Sequence, residues 1–151
     1  MIFEVKVLDP RAATMIYGPA TSMSAGYDLV ACIDEPLILK KSEKAILIPT
    51  GLAIHMDHQN VAAIILPRSG LGHKQGLVLG NSVGLIDADY QNQWFVSACN
   101  RGQQDEILIQ PGEKIAQAVF IPVLHPEFRR VADFSAGDTV RGLGGFGSTG
   151  A

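Results

Sequence analysis

Apolar and polar positions along this chain fall into short alternating or continuous runs separated by turn-forming residues. FEVKVL, KAILIPTGLAI, VAAIILP, GLVLGNSVGLI, QWFVSACN and EILIQPGEKIAQAVFIPVL are rich in Ile, Val and Leu and are punctuated by Gly, Pro, Asn and Asp. No stretch of twelve or more residues carries a clean helical stripe. The pattern predicts an all-β chain, a sandwich or barrel, with at most one short helix over Ser69–Gln75. No internal repeat or linker divides it, so residues 1–140 read as one β domain. A glycine-rich segment, residues 141–151, follows and is expected to be flexible.

Composition adds three constraints. Hydrophobic residues make up 47% of the 151 positions and charged residues only 18%. So little charge suggests that another subunit covers part of the apolar surface. The net charge of −3 argues against a nucleic-acid grip, yet a small anion needs only a few placed Arg or Lys side chains. Cys32 and Cys99 sit in apolar contexts (LVACI, VSACN) and read as buried thiols of a reducing compartment. With neither a secretion leader nor an apolar run long enough for a membrane span, the expectation is a cytoplasmic protein without membrane contact.

Five segments carry candidate chemistry. The tail RGLGGFGSTG has five Gly in ten residues yet places Arg141, Phe146, Ser148 and Thr149 at defined points. Its GxGxxG lacks the strand and helix of a dinucleotide fingerprint. It is either a solvated tail or a strip of amides (Gly147 among them), hydroxyls, guanidinium and ring suited to wrapping a nucleotide. In PRSGLG, Arg68, Ser69 and Gly70 form a capped turn or a phosphate site, with Ser69 placed to cap the short helix. GNSVGLIDADYQ looks like strand, polar turn and a second strand from about Gln93. Its Asp87 and Asp89 are turn formers or cation ligands, and spacing does not choose between them.

In GEKIAQAVF, a strand puts Ile115, Gln117 and Val119 on one face, so the Gln117 amide is a satisfied core group or a ligand contact. In SAGYDLVA, small residues lead into a strand that begins with Asp28. His55 and His58 are spaced H-x-x-H in a polar loop, which without further ligands is a poor zinc site. Arg129 and Arg130 read as a solvated face.

Taken together and in this order, AGYDL, PRSGLG, GNSVGLIDADYQ, GEKIAQ and RGLGGFGSTG resemble the deoxyuridine triphosphatase (dUTPase) family over nearly the whole chain. Met23 before SAG and Leu143 in the tail depart from the commonest pattern without removing a functional group. The resemblance implies a jelly-roll-like β-sandwich or distorted barrel. It implies a homotrimer whose three active sites are shared between subunits. The implied reaction converts dUTP and water to dUMP and pyrophosphate, with Mg²⁺ held by the triphosphate, lowering dUTP and supplying dUMP for thymidylate synthesis.

The same resemblance selects Asp87 as the base that activates the attacking water. It assigns Arg68, Ser69, Gly70 and Gln117 to the phosphates or that water, and Arg141, Gly147, Ser148 and Thr149 to the outer phosphates. Asn81 with Gly84, Leu85 and Ile86 would read uracil's edge. Tyr90 would pack on deoxyribose and Phe146 on the base. No protein-built metal cage is expected, and Asp28 would reach only the outer shell of Mg²⁺. Two competing readings are a dCTP deaminase, for which the 80–92 segment lacks a Glu, and a non-catalytic β-sandwich binding or coat module.

Overall fold

The computed structural model describes residues 1–135 and 137. Among them are eleven strands: β1 (Glu4–Val7), β2 (Tyr27–Val30), β3 (Leu37–Lys40), β4 (Ile46–Pro49), β5 (Leu52–His55), β6 (Val61–Pro67), β7 (Leu77–Leu79), β8 (Gly84–Ile86), β9 (Phe95–Asn100), β10 (Glu106–Ile109) and β11 (Lys114–Pro122). One seven-residue α-helix, α1 (Ser69–Gln75), follows β6 with the bounds the sequence suggested. The ladders between these strands are antiparallel and run β2-β11-β6-β8, β4-β9-β7, β10-β3 and β1-β5. This is the all-β, jelly-roll-like arrangement expected.

Alternation decides which side chains go inside. In β10 Ile107 and Ile109 are buried while Glu106 and Leu108 are exposed. The inward residues of all the sheets meet in one cluster around Leu29, Ile48, Leu52, Ile65, Trp94, Ile109 and Ile115. Phe120 joins it to Phe3, Tyr27 and Trp94, with ring centroids 5.1, 5.6 and 6.4 Å away. Cys32 and Cys99 are free and buried, and burial pushes the Cys32 thiol up to about 11.

Three local features differ from the sequence reading. A 3-10 helix, Pro10–Tyr17, precedes β2. Its inward residues Ala12 and Met15 are three apart, the repeat of a 3-10 turn, so no longer helical stripe marks it. Asp9 caps it by accepting from the Arg11 N–H at 2.9 Å. Ser69, by contrast, is not a cap: Arg68 holds the N-cap position of α1 and no side chain caps it.

The third difference concerns residues 77–100. The strands on either side of the Gly80–Val83 turn do not pair with each other. β7 pairs with β9, and β8 crosses to the edge of the β6 sheet. The sequence reading puts a polar turn before a second strand from about Gln93; that strand is β9, from Phe95, and long-range pairing sets it beside β4 and β7, not beside β8.

Candidate active site

One groove of about 720 Å³ is built where β2, β11 and the end of β6 run side by side. The register sets Gln117 on β11 opposite Asp28 on one side and Leu66 on the other. Pro67 ends β6, and the chain turns into α1 with Arg68, Ser69 and Gly70 at the groove wall. Helix bonding begins with the Gly72 N–H donating to Arg68 O at 2.8 Å. The N–H groups of Ser69, Gly70 and Leu71 therefore have no acceptor within the helix, and such groups suit an anion.

Gln117 is partly buried and donates from Nε2 to Pro67 O at 3.0 Å. That bond ties β11 to the PRSG turn and leaves the rest of the amide at the groove. A Cβ built on Gly26 would collide with Gln117 Oε1, so glycine at 26 is what lets the amide lie there. Asp28, with a fifth of its side chain exposed, is ion-paired on both oxygens: Arg68 Nε lies 2.9 Å from Oδ1 and Lys114 Nζ 2.8 Å from Oδ2. The groove's carboxylate is thus paired with Arg68, which lines the groove, and with Lys114 beside it. The functional residues of the groove come from three of the sequence segments.

A second recess, about 760 Å³, contains Asp87 and Asp89 together with His55, Asp57, His58 and His125. Asp87 directly follows β8, and its main-chain carbonyl accepts from the Tyr90 N–H at 3.2 Å. Tyr90 is exposed and its hydroxyl donates to Gln93 O at 3.2 Å. Ser82, with φ of 65°, turns the chain just after Asn81. Among the described residues β8 is an edge strand, with no strand beside one side of the Gly84–Ile86 backbone. Gly84 is packed against β6, where a Cβ would come 3.0 Å from that of Ile65. Among the described residues, no group of three His, Cys, Asp or Glu side chains could hold a metal ion.

The two regions lie apart in one chain. Ile86 is opposite Ala63 and Gln117 is opposite Leu66. That is about 10 Å along β6, Asp87 is one residue further out, and two strand spacings separate β8 from β11. The structure therefore brings Arg68, Ser69, Gly70, Gln117 and Asp28 together, keeps Asn81, Gly84, Leu85, Ile86, Asp87 and Tyr90 together elsewhere, and does not join the groups. Arg141, Phe146, Gly147, Ser148 and Thr149 lie outside the described residues.

Sequence reasoning assigned no role to Gly26 or Lys114. Both lie in quoted motifs, AGYDL and GEKIAQ. Gly26 acts by leaving room, and Lys114 reaches Asp28 through a bulge in the β11–β2 ladder between Lys114 and Ala116. Neither fact shows in residue type or spacing.

An edge strand beside a carboxylate, and a groove with a guanidinium and helix amides, are groups of the kind a nucleotide phosphohydrolase uses. Comparison with known proteins gives the same class. A family model described as dUTPase matches residues 12–150. The deoxyuridine 5'-triphosphate nucleotidohydrolase of Enterobacter sp. (strain 638) is 58% identical over 149 residues, covering 97% of this chain and 95% of that protein. The protein of the same name from Burkholderia multivorans is 55% identical over 150 residues, with 99% of each covered. Among solved structures, the Staphylococcus bacteriophage 80alpha dUTPase with dUPNHPP superposes with a TM-score of 0.85 at 26% identity, covering 99% of both chains. The chain belongs to the dUTPase family.

Proposed function

We propose that this chain hydrolyses dUTP to dUMP and pyrophosphate in sites composed across a homotrimer, with Asp87 as the base. The observation that carries the reading is the separation of the two regions in a chain of this family. Asp87 stands well over 10 Å from the Arg68–Gln117 groove by strand geometry. A water activated at Asp87 attacks a phosphorus held by those groove residues only if the groove belongs to another copy.

Roles then follow from chemistry. The Gly84–Ile86 edge and Asn81 bind the donor–acceptor edge of uracil, as a strand edge binds any chain of alternating donors and acceptors. A thymine methyl or a cytosine amino group would leave clashes or unpaired polar groups there. Tyr90 supports the deoxyribose. Arg68, the amides of Ser69 and Gly70, and Gln117 bind phosphate oxygens and stabilise charge that develops on the leaving pyrophosphate. Asp87 is exposed and accepts the proton of the attacking water. From the tail, Phe146 stacks on the base, while Arg141, Gly147, Ser148 and Thr149 close over the phosphates.

The family generally uses Mg²⁺. The donor set fits an ion that arrives with the triphosphate: no three-ligand group is present among the described residues, and Asp28, the carboxylate in the groove, has both oxygens paired with cations. Asp28 and phosphate oxygens would hold such an ion through water. When bound, Mg²⁺ supplies neutralisation of the triphosphate charge.

The decisive assay is pyrophosphate release from a panel of deoxynucleoside triphosphates, with and without Mg²⁺. The expected result is release from dUTP alone, enhanced by Mg²⁺. Ammonia release from dCTP, or binding without turnover, would give one of the competing readings in its place.

A further inference from the structure

Lys114 does not line the groove, yet it is tied to the groove's principal cation from two directions. Its Nζ takes Oδ2 of Asp28 at 2.8 Å, while Arg68 Nε takes Oδ1 at 2.9 Å. Its main-chain carbonyl also accepts a long bond, 3.4 Å, from Arg68 Nη1. In a regular strand Lys114 and Gln117, three positions apart, would face opposite ways. The bulge between Lys114 and Ala116 shifts the register, so that Lys114 reaches the carboxylate standing opposite Gln117.

A carboxylate facing an unopposed guanidinium favours the two-bond fork, which occupies two of the donors that would otherwise reach a phosphate. It also cancels the guanidinium's charge. With Lys114 on the second oxygen, Asp28 meets Arg68 most closely at Nε, and the three groups together carry net positive charge.

We propose that Lys114 is a positioning residue for phosphate binding: by occupying one oxygen of Asp28, and by accepting from Arg68 Nη1 on its own carbonyl, it holds the guanidinium so that Nη2 and the second N–H of Nη1 face substrate. This rests on the reading that Arg68 binds the triphosphate. Lys114 acts through Asp28 and touches no substrate, so its loss weakens affinity first and lowers kcat less, through the displaced Arg68.

The test is a double-mutant cycle on the full-length oligomer. Binding of the imido analogue dUPNHPP is measured by calorimetry, alongside KM and kcat for dUTP. Lys114→Met should weaken binding and raise KM by on the order of tenfold, with a smaller fall in kcat than Arg68→Ala produces. Lys114→Arg should restore both. In an Asp28→Asn background Lys114→Met should add nothing, since the group it restrains has lost its charge. Unchanged affinity in Lys114→Met, or an equal loss in both backgrounds, would overturn the proposal. Melting temperature checks each variant, and Lys114→Gln replaces the Met variant if that one does not fold. Arg68→Ala separates the two levels. If it abolishes binding while Lys114→Met is silent, only the role of Lys114 falls. If Arg68→Ala binds normally, the phosphate reading falls and the proposal with it.

Discussion

The groove of Arg68 and Gln117 and the recess of Asp87 solve different problems with different parts of the same sheet. The groove is cross-braced: Asp28 carries two ion pairs, Gln117 bonds the Pro67 carbonyl, and Gly26 makes room for the amide. The recess lies on an edge strand and the turn after it, where Asp87 is exposed and the backbone of β8 is paired on one side. Groups that bind a multiply charged ligand need fixed positions before the ligand arrives. A strand edge and an exposed carboxylate gain from a partner, because open backbone groups and a base are of use only when something docks on them. On the proposed reading, one chain holds two half-sites.

The largest effect should come from the carboxylate. Asp87→Asn should lower kcat by about 10²–10⁴-fold with dUTP affinity kept, and a near-normal rate would transfer the role of base elsewhere. The comparison between the half-sites is tested most directly by mixing chains. Asp87→Asn and Arg68→Ala should each be nearly inactive, whereas oligomers refolded together from equal amounts should regain activity in up to about a quarter of their sites. Absence of any recovery would place both groups in one chain's site.

A smaller loss should follow at the braced side. Gly26→Ala displaces the Gln117 amide, and a shift of that order should reduce kcat/KM by roughly 10- to 100-fold with the oligomer intact. Unaltered kinetics would show that the amide's place does not matter.

The smallest effect lies at the cap of the 3-10 helix, among residues assigned no part in the reaction. Asp9 is held down at about 2, first by the side-chain hydrogen bond from Arg11 and next by the Arg11 backbone N–H. Its folded value lies below the roughly 3.9 of an unfolded Asp. The contribution to stability is thus present above about pH 4 and lost as pH falls through about 2. Asp9→Ala should cost about 1 kcal/mol in chemical denaturation near neutral pH, through the lost cap. It should also flatten the decline of stability in that acid range, with turnover unchanged at pH 7.

Much of this molecule was readable without its coordinates. Nine of the strands lie in the runs rich in Ile, Val and Leu, β2 lies in SAGYDLVA, and α1 begins at Ser69 and ends at Gln75. β3, Leu37–Lys40, escaped notice because four residues of LILK make too short a pattern. Its inward Leu39 is recognisable only once β10 lies beside it. The 3-10 helix escaped because two buried residues three apart do not make a stripe. The choice of Asp87 over Asp89 came from the ordered motifs. In the structure both acids line the same recess, so position alone still does not distinguish them.

What the sequence determined by itself is therefore local or cumulative. Alternation specifies strand faces because side chains project to opposite sides at every residue. The motif order specifies the family because five segments must agree at once. Only the tertiary structure decided that β7 and β8 part company across their turn, that a bulge brings Lys114 to Asp28, and that Asp87 sits away from Arg68 and Gln117. Each of these depends on which strand pairs with which and in what register. Pairing over long sequence separations is settled by burial of the whole core, a property that no short run of residues possesses.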